Sequence, residues 1–426
     1  MTVTKYLVKT NKFVIVYIIL TVLMTIILFI FIGINISRLI RNVKFNKKYF
    51  KNNYDYSLFT NNCYNSRLLS IKTDSSITYI NNIPVSRYDT TTKKQIPFNI
   101  CNFYYPGSYN TFLSGDPMKG IYTMESIKYA IIKFKCRVLH FDIYKDNNNN
   151  PIIRNKYLKN YNPLNFADVL NLIIMNCWSV SKYPMFIYLT FNFSAGDQTY
   201  NNMATTIMKI FGNYLLPSTY SYNCRNMTNQ INTLTMQNAI GKVIFISNIY
   251  PTNSKLDEII NLYDNSTIES FNNVTNKTST TTLNNITVAN TSSSTTIYNN
   301  FYLKTYSDSF NKSSVGLLLE YTESILKTNS TNSLLFFYNS STKPVINPNS
   351  IDCNKYGIQC ALMYLSNIDN NMYNWYNFFA NGNNGNPILK PITLSVTTTS
   401  KTTELTTTTI SPSQTGGFSG FLQFNT

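Results

Sequence analysis

The sequence predicts an α/β fold, either a parallel sheet or a barrel, preceded by one membrane-spanning helix. Two observations predict this arrangement. Between residues 96 and 250, short apolar runs that suit buried strands alternate with segments of helical period, as in parallel sheets and barrels. Near the N-terminus, residues 13–34 are nearly all Ile, Leu, Val, Phe and Met and carry no charge, which matches the length and composition of a bilayer span.

The apolar segment is interpreted as an uncleaved anchor. A signal peptide has a shorter apolar region followed by small residues at its cleavage site, whereas this one continues into Ser37-Arg38-Leu39-Ile40-Arg41. Basic residues follow it: Arg38, Arg41, Lys44, Lys47, Lys48 and Lys51. The positive-inside tendency therefore predicts a single-pass protein with a cytosolic C-terminal domain. Several Asn-x-Ser/Thr sequons oppose this topology, but they arise by chance in a chain so rich in these residues.

The alternating region contains three predicted strands and three predicted helices. The strands are residues 138–144, 185–193 and 242–247, and the helices are residues 126–134, 166–177 and 203–216. Residues 265–300 are dominated by Ser, Thr and Asn, so they cannot bury enough apolar surface to offset the entropy of ordering. We therefore predict a disordered insert between two halves of one domain.

Seven segments follow from these patterns. They are a short flank (1–12), the membrane helix (13–34), a basic juxtamembrane and polar lead-in without clear period (35–95), a first half-domain (96–250), a low-complexity linker (251–300), a second half-domain (301–393) and a Thr-rich tail (394–426).

Composition limits the function classes. The formal net charge of +17 favours anionic partners, and the basic residues beside the apolar segment favour a membrane over nucleic acid, for which no motif is present. The chain has seven Cys, no Cys-x-x-Cys pair and one His, which argues against a zinc site. Cys353 and Cys360 are close enough in sequence to pair, but buried free thiols are the preferred interpretation. The Asn-rich runs suit an AT-rich genome, such as that of a protist or a large DNA virus.

A series of motifs in order resembles one enzyme family. Gly107 to Asp116, Cys136 to Tyr144 and Gly241 to Ile244 are similar to segments of the X region of eukaryotic phosphoinositide-specific phospholipases C. Gly357-Ile358-Gln359 and Asn381 to Pro391 are similar to segments of the Y region. The resemblance covers roughly residues 95 to 395. It implies a distorted TIM barrel, split into X and Y halves by a variable linker.

The resemblance also implies a reaction and its catalytic residues. In the family, an inositol hydroxyl attacks the adjacent phosphorus with help from two His and a Ca²⁺ ion. The first His corresponds to Tyr109, whose phenol is a poor proton shuttle at neutral pH. The second falls at Asn155, or at Arg154 if the alignment slips by one residue, and neither side chain exchanges protons at neutral pH.

The metal site implied by the resemblance is incomplete. Asn110 and Asp142 match two of the family's Ca²⁺ ligands, whereas His140 and Thr190 stand where the family has Glu. One carboxylate and one amide are a poor site for a hard dication. No cofactor is therefore expected, and Ca²⁺ would be needed only if an active site had been rebuilt.

The implied headgroup contacts are reduced as well. Ile246, Asn248 and Phe336 replace basic residues that hold phosphates in the family, whereas Tyr338 and Ser309 match retained inositol contacts. Losses at the mouth of the barrel beside an intact scaffold suggest selection for the fold without its chemistry.

The sequence thus predicts a membrane-anchored, phospholipase C-like pseudoenzyme with a binding or scaffold role. Its partner would be an anionic lipid headgroup or a protein. One alternative is an active phosphoinositide phosphodiesterase with a rebuilt site. A third is a structural virion or surface membrane protein.

Overall fold

The computed structural model describes residues 2–46, 74–115, 117–118, 120–158, 162–194, 198–222, 231–249, 251, 253–263, 301–305, 334–339 and 346–391. Ser309, the whole predicted disordered insert (265–300) and the Thr-rich tail lie outside these residues. Helix α1 (Thr2–Asn46) contains the predicted membrane segment. Within it, Val14–Ile34 has a mean hydropathy of 3.1 and is long and apolar enough to cross a membrane.

The lead-in differs from its predicted irregular form. Residues 77–97 build a three-stranded antiparallel sheet of β1 (Ile77–Ile80), β2 (Ile83–Asp89) and β3 (Lys94–Pro97). Asn81 and Asn82 join the first two strands with φ of 52° and 62°, the left-handed conformation that two-residue hairpin turns require. Ile83 and Val85 are buried with residues of the barrel interior. The sheet therefore forms because β2 completes the barrel core, a long-range contact that local period does not reveal.

The first half-domain alternates strands and helices as predicted. Its elements are β4 (Phe103–Tyr104), β5 (Gly107–Ser108), β6 (Leu113–Ser114), β7 (Ile121–Tyr122), α2 (Met124–Ile132), β8 (Val138–Lys145), β9 (Pro151–Ile153), β10 (Leu164–Asn165), α3 (Phe166–Val180), β11 (Met185–Phe191), α4 (Gln198–Phe211), α5 (Met236–Ala239), β12 (Val243–Ser247) and β13 (Ile260–Tyr263). Short 3₁₀ helices span Ile100–Asn102, Gly212–Tyr214, Ser218–Tyr220, Ile231–Thr233 and Lys255–Glu258.

The half-domain extends beyond its predicted end at residue 250. Strand β13 lies in the segment predicted as linker, and it pairs in parallel with β12. Ile260 and Leu262 are buried in the sheet. The strand is only four residues long and contains the polar Asn261, so it does not stand out from the polar sequence around it.

The second half-domain supplies the other strands of the sheet. Its described elements are β14 (Phe301–Thr305), β15 (Leu334–Tyr338), α6 (Ser350–Lys355), β16 (Cys360–Met363), α7 (Asn370–Asn383) and β17 (Ile388–Leu389). Eight strands of the described residues follow one another in the order β13-β12-β11-β8-β5-β16-β15-β14. Every neighbouring pair on this path is parallel. This is the arrangement expected of a (β/α) barrel, with β5 and β16 joining its two halves.

Strand alternation separates two cores. Along β8, Val138 belongs to the cluster inside the barrel, whereas Leu139 belongs to the cluster between strands and helices. Phe186 and Ile187 of β11 divide in the same way. Because alternate side chains of a strand point to opposite faces, apolar runs without polar alternation are what a sheet covered on both faces needs.

The helices are held by caps and by one buried cation. Helix α3 begins after Asn165, whose side chain accepts a hydrogen bond from the backbone N–H of Asp168. At its C-terminal end, the fully buried Arg137 donates from Nη1 to the carbonyls of Cys177 (3.1 Å) and Ser181 (3.2 Å). A cation suits this end of a helix because the last carbonyls lack intrahelical partners. Arg137 lies in the Cys136 to Tyr144 motif and therefore has a structural role.

The strand that joins the two halves tests the packing of this scaffold. A Cβ atom on Gly107 would lie 2.3 Å from Cys360 Sγ and 2.7 Å from Leu362 Cδ2. We expect Gly107→Ala to lower the free energy of unfolding by about 1–3 kcal/mol, the usual cost of overpacking. Chemical denaturation of the full chain would measure it. Gly33→Ala is the control, because no atom lies within 4 Å of that Cβ position. Equal stability of both variants would contradict the close contact.

Candidate active site

Several of the predicted site residues lie together at the C-terminal ends of the barrel strands. His140 and Asp142 lie on β8 and are paired in register with Tyr188 and Thr190 of β11. Tyr109 follows β5 directly. Barrel enzymes carry their chemistry at this end because the loops after all strands converge there.

A stack of rings lies at the centre of this mouth. The ring of Tyr109 stacks on His140 with centroids 4.3 Å apart and on Tyr338 with centroids 4.7 Å apart. Tyr364 contacts Tyr109 edge-on at 5.1 Å, and Tyr188 lies 5.1 Å from the His140 ring. We call Tyr338, Tyr109 and His140 the ring stack. Such contacts add about 0.5–1.5 kcal/mol per pair beyond burial alone.

The hydrogen bonds of His140 fix its protonation. Its Nδ1 accepts from the backbone N–H of Asn110 at 3.2 Å, so the proton of the neutral ring is on Nε2. Nε2 lies 2.8 Å from Thr190 Oγ1 and therefore donates to it. Burial lowers the pKa of His140 to about 3. The imidazole is thus neutral at physiological pH and has no lone pair free for a proton.

Asp142 differs from His140 and Tyr109 because its side chain titrates near neutral pH. Burial raises the pKa of its carboxyl group to about 7, although nearby Lys156 opposes the shift. Its Oδ1 lies 3.9 Å from His140 Nε2. Burial also raises the pKa of the Tyr109 phenol well above its usual range. Of these three groups, only Asp142 changes charge near neutral pH.

The residues present do not fit a calcium ion. His140 and Thr190, at the positions where the resemblance implies Glu, bond to each other. The side chain of Asn110 donates from Nδ2 to the Tyr364 hydroxyl at 3.1 Å. Among the described residues, no group of three or more His, Cys, Asp or Glu is placed to hold a metal. A hard dication needs several oxygen ligands, mostly carboxylates. Of Asn110, His140, Asp142 and Thr190, only Asp142 supplies a carboxylate.

The second predicted catalytic position has a structural role. Asn155 is 2% exposed, and its Oδ1 accepts from the backbone N–H of Tyr157 at 2.8 Å. Its backbone N–H donates to the Tyr122 hydroxyl at 3.0 Å. The alternative residue, Arg154, lies with its guanidinium 4.2 Å above the Tyr144 ring. These contacts hold the loop after β9.

The positions where the resemblance implies basic residues are apolar or structural. Ile246 and Phe336 are fully buried in the barrel interior, where Phe336 packs edge-on against Phe186 at 5.8 Å. Asn248 bridges two strand ends, because its Oδ1 accepts from the backbone N–H of Phe191 at 2.7 Å. An apolar interior disfavours a phosphate, whose charge would be desolvated without a partner.

Tyr364 and Tyr188 were missed by sequence reasoning. Tyr364 is held because its backbone N–H donates to Asn347 Oδ1 at 2.7 Å. The backbone N–H of Asn347 in turn donates to Asp369 at 2.8 Å, and Asp369 caps helix α7. Tyr188 follows from strand alternation, since it lies two residues before Thr190. No comparable signal identifies Tyr364, because the polar network that holds it joins residues that are separated in sequence and follow no common period.

Comparison with known proteins shows where the similarity to one family lies. The sequence model of the family described as "Phosphatidylinositol-specific phospholipase C, X domain" matches residues 97–249. These residues, less than half of the chain, are thus similar to the X domain of that family. Phospholipase C crystal structures agree in fold: PLC21 of L. pealei superposes with a TM-score of 0.52 and that of S. officinalis with 0.53. Both are 16% identical, covering 70% of this chain and 38% of theirs. The predicted TIM-like barrel is confirmed.

Curated phospholipases C are similar over a limited part of their length. Human 1-phosphatidylinositol 4,5-bisphosphate phosphodiesterase gamma-2 is 22% identical over 147 residues, which are 34% of this chain and 11% of that protein. The delta-4 enzyme of Xenopus laevis is 29% identical over 120 residues, 28% of this chain and 15% of that protein. The chain thus matches a small fraction of these phospholipases.

Opposing titrations at the mouth predict an unusual pH profile. The pKa of His140 falls from 6.5 to about 3 on folding. Because the unfolded chain then binds the proton more readily, the titration of His140 lowers the free energy of unfolding as the pH drops below about 6.5. The pKa of Asp142 rises from 3.8 to about 7 on folding. Because the folded chain then holds the proton more tightly, the titration of Asp142 lowers the free energy of unfolding as the pH rises from about 4 to 7. We expect the two slopes largely to cancel between pH 4 and 6.5. Thermal unfolding of Asp142→Asn should reveal acid destabilisation, and that of His140→Gln the opposite slope.

The double variant His140→Gln/Asp142→Asn is the control for this experiment. It removes both titrations, so its profile should again resemble that of the wild type between pH 4 and 6.5. Single variants whose slopes match the wild type would contradict the burial-shifted pKa values.

Proposed function

We propose that the chain is a non-catalytic phospholipase C-like protein with a binding or scaffold role at a membrane. The observation that carries this proposal is the ring stack, in which His140 is buried, neutral and bonded to Asn110 and Thr190. The family's reaction needs a general base, a general acid and charge stabilisation at phosphorus. The mouth instead offers stacked rings and a neutral hydrogen-bonded pair.

The apolar residues of the barrel interior also support a non-catalytic role. Phosphoryl chemistry depends on cations that neutralise charge developing on the phosphate oxygens. Ile246 and Phe336 supply apolar surface at the corresponding positions. An inositol phosphate in this mouth would lose its hydration without gaining an ion pair. A protein partner, bound outside the mouth, is therefore favoured over a headgroup bound inside it.

The raised pKa of Asp142 favours one alternative, an active phosphodiesterase with a rebuilt site. The Asp142 carboxyl group, with a pKa of about 7, exchanges protons at neutral pH as a general base or acid must. An active phosphodiesterase rebuilt around Asp142 would still need a second proton-transfer group and a cation. Lys156, whose charge lowers the pKa of Asp142, is a candidate for the cation.

Turnover of lipid tests the proposal directly. The full chain, reconstituted in vesicles of phosphatidylinositol 4,5-bisphosphate and phosphatidylcholine, should release no inositol phosphate above protein-free vesicles, with or without Ca²⁺. Asp142→Asn and Tyr109→Phe should leave this background unchanged, as should Tyr88→Phe, a matched control at an exposed position. Turnover that disappears in Asp142→Asn but persists in Tyr88→Phe would overturn the proposal and establish a rebuilt active site.

We propose that Val14–Ile34 anchors the protein in a membrane and that the barrel lies in the cytosol. The segment has 21 residues without charge, and basic residues follow it in sequence. The cysteines at positions 101, 136, 177, 353 and 360 are buried free thiols, which suits a reducing compartment. Cys353 and Cys360, the two residues close enough in sequence to pair, are both among these free thiols.

Charges within the span test anchoring. Leu23→Arg with Ile27→Arg should move the protein from the carbonate-resistant membrane fraction to the supernatant or to aggregates. The expected cost is roughly 2.5–3.5 kcal/mol per Arg at the centre of a bilayer. The apolar exchange Leu23→Ile with Ile27→Leu is the control and should remain in the membrane. Release of the wild-type chain by carbonate would contradict an integral anchor, and protease protection of the barrel in sealed vesicles would locate its side.

A further inference from the structure

A small pocket with both polar and apolar lining residues lies where the two halves of the barrel meet. Its polar lining includes Ser108, Asn110, Ser114, Ser126 and Ser366, and its volume is about 20 Å³. The halves are in direct contact there, because Ser366 Oγ donates to the carbonyl of Gly115 at 3.0 Å. We call this space the seam pocket.

Four oxygen atoms of the seam pocket have no hydrogen-bond partner among the described residues. They are Ser108 Oγ, Asn110 Oδ1, Ser114 Oγ and Ser126 Oγ. All four residues are buried, with exposures of 1%, 5%, 1% and 8%. A buried polar atom without a partner is penalised by its lost hydration, so four around one space point to a ligand that bonds to several of them.

Asn110 defines the chemistry of that ligand. Its Nδ2 is already used, because it donates to the Tyr364 hydroxyl. Its Oδ1 can only accept, so the ligand must carry a hydrogen-bond donor. The three serine hydroxyls can each donate or accept. Asn110 thus excludes a purely accepting anion, whereas the serines allow the ligand either to donate or to accept.

Size and charge reduce the choice further. The pocket volume suits one or two water-sized molecules. Among the described residues its lining contains no carboxylate, and a cation would thus be buried without a counter-charge from them, in a chain of net charge +17. Water meets both requirements, and buried waters usually make about three hydrogen bonds to such groups.

We propose that the seam pocket binds one or two ordered water molecules beside the junction of the two halves, held by polar groups of the first half. These waters bridge Asn110 and the serines of β5, β6 and helix α2. Asn110 also bonds to His140 and Tyr364, so the water site supports the residues that hold the ring stack. The site is independent of whether the mouth is catalytic.

A crystal structure of the full chain at 2 Å or better is the first test. Solvent density should lie within hydrogen-bond distance of the Asn110 side chain and of at least one of Ser108, Ser114 and Ser126. A pocket without solvent density would overturn the proposal.

A matched pair of serine variants gives a second readout in solution. Ser126 and Ser350 both lie in the first turn of a helix, and both carry a buried hydroxyl without a partner, but only Ser126 lines the pocket. Removing a bridging partner should lower the Tm of Ser126→Ala by about 2–4 °C. Removing an unsatisfied hydroxyl should leave the Tm of Ser350→Ala unchanged or higher. A Ser126→Ala Tm that rises as in the control would overturn the water site.

Discussion

Burial of an imidazole in the mouth of the barrel is the constraint that shapes this site. A buried His must be neutral and must satisfy both ring nitrogens, since an unpaired or charged ring would lose its hydration. His140 meets these conditions through the Asn110 backbone and Thr190. Its flat, neutral face then becomes a surface on which Tyr109 stacks. Glu at this position has no ring and could not serve as such a surface.

The scaffold depends on different contacts from the site. Arg137 closes the end of helix α3, and Gly107 allows β5 to approach β16. Neither residue faces the ring stack, so the mouth can change while the barrel persists. Motifs that resemble those of phospholipases C can therefore persist in the scaffold while the residues at the mouth differ.

The mouth is linked to the junction of the two halves through Asn110. Its backbone adopts φ of 46°, a left-handed conformation that Asn tolerates better than most residues. This turn directs its N–H to His140 and its amide to Tyr364. The same side chain reaches the seam pocket. A residue that matches a metal ligand of the family is thus part of a neutral hydrogen-bond network that holds two rings.

Sequence alone predicted the alternation of strands and helices, the apolar N-terminal segment and the resemblance to phospholipases C, because local period and ordered motifs are properties of neighbouring residues. It also proposed Tyr109, His140, Thr190 and Tyr338 as candidate site residues, and their function stays a prediction. Only the tertiary structure decided what they do together: the stack, the bond between His140 and Thr190, and the partnership with Tyr364 join residues from separate strands. The β1–β3 sheet was missed for the same reason, since burial against a distant core cannot be read from local pattern.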